Sequence, residues 1–64
     1  MQVRLNGELR DVREGLNVSG LLAHLGVKPA RVAVQVNEVV VTKDRYDAHV
    51  LEPGDSVEIV AFVA

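Results

Sequence analysis

The chain has 64 residues, 48% of them apolar and 25% charged, a globular composition with room for one small domain, residues 1–64, and a thin core. It contains no cysteine, which excludes disulfides, thiolate metal sites and cysteine nucleophiles. Seven Lys/Arg against nine Asp/Glu give a net charge of −2, no apolar run approaches the ~20 residues of a membrane span, and Met1-Gln2-Val3-Arg4 has no secretory pattern. The chain is therefore expected to be cytoplasmic, with no nucleic-acid or membrane partner.

From Gln2 to Asn6 polar and apolar residues alternate, with Val3 and Leu5 on one side, so the segment predicts a strand with one buried face. Asn6-Gly7 is a strong hairpin signal because both residues tolerate positive φ. Glu8 to Val12 returns as a second strand whose only apolar members are Leu9 and Val12, which suits a sheet edge. Asn17 is a good helix N-cap, and Val18, Leu21, Leu22 and Leu25 then form one apolar stripe. Gly26 follows where a left-handed C-cap belongs, so the helix is expected over Val18 to Leu25.

Val32 to Val36 alternates again, Asn37-Glu38 turns the chain, and Val39 to Val41 is a short β-branched strand. Thr42 to His49 is polar and without period, a loop with room for one helical turn. Glu52-Pro53-Gly54-Asp55 fits a type II turn, with Asp55 capping turn amides. Ser56 to Phe62 is the last strand, with Val57, Ile59 and Ala61 facing one way. Two hairpins, one helix between them and a final strand predict an α+β fold compatible with a β-grasp: a mixed sheet of about five strands on one helix. The last strand would lie parallel to the first in mid-sheet, and the far face of the sheet would be open.

Candidate chemistry is sparse. His24 lies off the helix stripe, on a solvated face, and His49 lies in the polar loop, with no HxH or HxxxH spacing to make a metal site. The nine carboxylates are scattered singly, Ser19 and Ser56 have no base at motif distance, and the five glycines sit as turn and cap residues. Gly20, inside the helix, is placed to let another backbone approach closely. No catalytic residue, metal ligand or cofactor is expected, and the chain is not read as an enzyme. One oddity remains. If Val57, Ile59 and Ala61 face the core, Val60 and Phe62 project from the open face and form an apolar patch with Ala33. A change of strand direction that buries Phe62 fits the same pattern.

Taken in order, five segments resemble the ThiS-type ubiquitin-like sulfur carriers of thiamine biosynthesis. They are Met1-Gln2-Val3-Arg4-Leu5-Asn6-Gly7-Glu8, the helix from Asn17-Val18 through Leu21-Leu22 to Leu25-Gly26, Val32-Ala33-Val34-Gln35-Val36-Asn37, Val40-Val41, and Leu51-Glu52-Pro53-Gly54-Asp55-Ser56-Val57-Glu58-Ile59-Val60. The resemblance implies a sulfur carrier for thiazole formation. Its C-terminal carboxylate would be adenylated with MgATP by an E1-like adenylyltransferase (ThiF type), converted to a thiocarboxylate, and drawn on by a thiazole synthase (ThiG type). It also implies a partner-binding region at Val60, Phe62, Val63 and Ala64. The family ends in Gly-Gly, which does not follow Val63-Ala64 here. The full-length chain is therefore expected to continue into that motif, and the 64-residue form is not expected to be activated. A carrier for molybdopterin synthesis or tRNA thiolation, and a tail-less β-grasp interaction module, are the alternatives.

Overall fold

The computed structural model describes residues 1–62. The strands are β1 (Gln2–Leu5), β2 (Glu8–Asp11), β3 (Val32–Val36), β4 (Val39–Val41) and β5 (Ser56–Ala61), with one helix, α1 (Val18–Leu25). They form a single five-stranded sheet in the order β2-β1-β5-β3-β4. β1 pairs antiparallel with β2, β3 antiparallel with β4 and with β5, and β1 parallel with β5. The last strand thus occupies mid-sheet beside the first, with α1 between the two hairpins. This is a β-grasp.

The helix forms where its caps and stripe place it. Asn17 accepts from the Gly20 amide at 2.7 Å, and Gly26, at φ 72°, ends the helix in the left-handed region. Val18, Leu21 and Leu22 are buried in one cluster with Leu5 of β1, Val32, Val34 and Val36 of β3, Val41 of β4 and Val57 of β5. Each such side chain contributes about 1.5–3 kcal/mol when fully buried, so a handful of them decides the stability of so short a chain.

Three features depart from expectation. Gly20 does not admit another backbone. A Cβ there would stand 2.7 Å from Leu16 Cδ1 and 2.9 Å from Asn17 Oδ1, so the close approach is by side chains of the preceding turn. The polar segment Thr42 to His49 contains the expected helical turn, a 3₁₀ turn at Lys43–Arg45, but it also supplies a core residue, Tyr46, which is buried beneath the sheet. Its carbonyls cap the helix: Val18 N–H donates to His49 O at 3.0 Å and Ser19 N–H to Tyr46 O at 3.1 Å. Finally, Ala61 was expected to face the core and is exposed, whereas Val57 is buried and Ile59 half-buried. The reason is the short β1. It ends at Leu5, opposite Val57, so the last residues of β5 have β3 on one side and no β1 strand on the other.

Two asparagines fix the central strand where β1 and β3 give out. Asn6, at φ 48°, stands past the end of β1. Its Oδ1 accepts from Ile59 N–H at 2.8 Å and its Nδ2 donates to Ile59 O at 3.3 Å, so the side chain adds one more rung to the ladder. Asn37, at φ 51°, does the same at the other end: its Oδ1 accepts from Ser56 N–H at 2.9 Å and its Nδ2 donates to Asp55 Oδ1 at 2.9 Å. Asp55 in turn caps the amide of Glu52 at 2.9 Å, as its position after Pro53-Gly54 predicts.

Candidate functional site on the open sheet face

The helix covers one face of the sheet, and the alternation of β5 sends Val60 and Phe62 to the other. Val60 is 62% exposed and Phe62 59% exposed, so the open-face reading holds and burial of Phe62 by a change of strand direction does not occur. Val60 lies directly across from Ala33 of β3, and Phe62 N–H donates to Arg31 O at 2.8 Å, continuing the pairing one residue past β5. On the same face, Val40 of β4 stands opposite Gln35, and Leu9 of β2 opposite Arg4. Both are exposed. The result is an apolar surface of Val60, Phe62, Ala33 and Val40, with Leu9 farther along the face.

Phe62 stands one residue past the end of β5. Lys43 Nζ lies 5.9 Å from the centre of its ring and also donates to Ala30 O at 3.2 Å. A cation over an exposed ring contributes about 0.5–1 kcal/mol, enough to orient the side chain without burying it. Lys43 and the 3₁₀ turn at Pro29–Arg31 therefore flank Phe62. Of the residues that the sequence marks for partner binding, Val60 and Phe62 come together here. Val63 and Ala64 lie outside the described residues.

The other candidates do not converge on chemistry. His24 is exposed on the helix and His49 half-buried at its start. Among the described residues no three His, Cys, Asp or Glu side chains cluster as metal ligands. A groove of about 520 Å³ runs between α1 and the end of β2, with Val12, Leu16, Gly20 and Ala23 on its floor and Asp11, Arg13 and His24 on its rim. The Asp11 carboxylate is already engaged there by the Met1 ammonium at 3.3 Å. Sequence reasoning passed over this groove and over Val40, whose alternation with Val41 was the available signal for its outward face. Among the described residues no helix is long and apolar enough to cross a membrane.

With this geometry in place, residues 3–64 match the model of the ThiS family. The chain belongs to the ThiS family. A crystal structure of the thiamine biosynthesis protein ThiS from Geobacter metallireducens superposes with a TM-score of 0.89 at 34% identity, covering 100% of this chain and 97% of that one. The solution structure of a thiamine biosynthesis protein from the same organism gives 0.83 at 36% identity, covering 100% and 86%. Among curated proteins, a thiazole synthase of Magnetococcus marinus is 41% identical over 63 residues, and one of Paramagnetospirillum magneticum 40% identical over 63 residues. The match takes in 98% of this chain and 19% of each synthase, so the chain spans about a fifth of the length of these relatives.

Proposed function

We propose that this chain is the sulfur carrier of thiamine thiazole formation, a protein substrate and not a catalyst, built as one ubiquitin-like unit and working in the cytoplasm. The observation that carries the reading is the exposed Val60 and Phe62 pair at the end of β5 on a ThiS-family fold. A carrier needs a rigid body that partners recognise and an end that reaches their active sites. The fold supplies the first. β5 is fixed on both sides, and its last residues present apolar side chains.

In a carrier of this kind the reacting group would be the terminal carboxylate, on the Gly-Gly with which the family ends. Residues without Cβ can thread a channel that side chains would block. The E1-like adenylyltransferase (ThiF type) would transfer AMP from MgATP to that carboxylate with release of pyrophosphate, and a sulfur donor would displace AMP to leave the thiocarboxylate. The thiazole synthase (ThiG type) would draw the sulfur. Two relatives that are themselves thiazole synthases and contain a segment similar to this chain support that second partner. The test is a calorimetric titration of the full-length protein against each enzyme. Saturable binding to both, weakened by Val60→Lys, is expected, and absence of binding to either would overturn the proposal.

A further inference from the structure

The two edges of the sheet are guarded differently. β2 carries Glu8, Arg10 and Asp11 within four residues, charges that oppose pairing with another chain. β4, at the opposite edge, is Val39-Val40-Val41, without a charge, and its Val39 and Val40 are 67% and 62% exposed. An uncharged, β-branched edge is the kind that recruits a further strand.

The turn before β4 fixes which backbone groups are free. Asn37 and Glu38, at φ 51° and 70°, form a two-residue loop between Val36 and Val39. A loop of this type closes on a hydrogen-bonded pair, so Val36/Val39 and Val34/Val41 exchange the ladder bonds and Gln35/Val40 is the pair between them. The N–H and C=O of Val40 therefore point away from β3, out of the sheet. The bond from Asn37 N–H to Ser56 O at 2.7 Å has the matching parity, with odd-numbered residues of β3 bonding toward β5. Past Val41 the edge closes, because Thr42 O accepts from Arg45 N–H at 2.9 Å as the chain enters its 3₁₀ turn. The free stretch is centred on Val40.

We propose that β4 is a self-association edge: a second copy of this chain pairs antiparallel with it about a two-fold axis at Val40. The edge is self-complementary in that register. Val40 meets Val40 of the other copy and exchanges both backbone bonds with it, and Val39 meets Val41. Glu38 falls opposite Thr42 of the other copy, so the two Glu38 side chains stay apart. Pairing of β4 with β2 would be head-to-tail and open-ended, and the charges of β2 oppose it. Three residues a side bury far less than the ~1,200 Å² of a standard interface, so the dimer is a weak, exchanging one. It does not rest on the carrier reading, and it takes up Val40 at the β4 end of the apolar surface while Val60 lies two strands away on β5.

The test uses the full-length, 15N-labelled protein over about a hundredfold range of concentration, followed by amide shifts and sedimentation equilibrium. The proposal expects an average mass that rises from monomer toward dimer and shift changes confined to the Glu38–Lys43 stretch. Val40→Lys, at an exposed position, should leave the thermal midpoint unchanged and raise the apparent Kd at least about tenfold. Leu9→Lys, on the guarded edge, should change nothing. A monomer at every concentration, a mass that climbs past dimer, or association that survives Val40→Lys would each overturn it.

Discussion

Asn6 is the residue on which the position of the last strand depends most directly. It makes two side-chain bonds to the Ile59 backbone from a left-handed conformation at φ 48°. Replacing it with alanine removes both bonds, worth about 0.5–1.5 kcal/mol each, and puts in the left-handed region a residue that tolerates it less well than asparagine, at a further cost of up to about 1 kcal/mol. The expected loss is about 1–4 kcal/mol, out of a total near 3–10 kcal/mol for a chain of this length. Glycine separates the two contributions, since Asn6→Gly loses the bonds but keeps the backbone conformation at no steric cost. Asn6→Gly should therefore retain about 1 kcal/mol more stability than Asn6→Ala. Urea unfolding followed by circular dichroism measures both, with the slope checked for constancy. Because Ile59 immediately precedes Val60, amide exchange at Val60 to Phe62 should also quicken in both variants. An Asn6→Ala variant within about 0.5 kcal/mol of the parent would refute the account of how β5 is held.

Other substitutions test the remaining parts. Gly20→Ala improves helix propensity by about 1 kcal/mol but forces Cβ to within 2.7 Å of the buried Leu16 side chain, so thermal unfolding should report a net loss of about 1 kcal/mol, and a gain would contradict it. Tyr46→Ala should lower stability by about 3–5 kcal/mol in denaturant titration, close to unfolding the chain, whereas a loss under about 1 kcal/mol would mean that Tyr46 is not core. Phe62→Ala should change stability by less than about 1 kcal/mol because the ring is 59% exposed, while calorimetry against the adenylyltransferase should record at least about tenfold weaker binding. A large stability loss would make Phe62 a structural residue and remove it from the site.

Much of the fold is legible because its signals are local. The Val18–Leu25 helix follows from Asn17, an apolar stripe and Gly26, all within ten residues of chain, and the first hairpin follows from Asn6-Gly7, which tolerate positive φ, whereas Glu38 of the second turn takes φ 70° although glutamate does not favour it. The order of the strands was readable from the hairpin–helix–hairpin sequence, since a final strand has few places left to go. What stayed hidden is long-range. Tyr46 sits among polar residues, and its burial depends on the loop crossing beneath the sheet to cap a helix some thirty residues earlier in the chain, as with the Asn17 Nδ2 bond to Asp47 O at 3.0 Å. The exposure of Ala61 depends on where β1 stops, which the alternation of β5 does not encode. The site shows the same division. Alternation placed Val60 and Phe62 on one face with Ala33 beside them, but only the strand order shows that Val40 joins them, and only the fold brings Lys43 over the Phe62 ring.

The most direct test of the carrier reading is the intact mass of the full-length protein after incubation with the adenylyltransferase, MgATP and a sulfur donor. The account predicts a new species in which one oxygen of the terminal carboxyl group is replaced by sulfur, and which reverts to the parent mass when thiazole synthase and its substrates consume the sulfur. A mass unchanged under conditions that activate an authentic ThiS protein would contradict it.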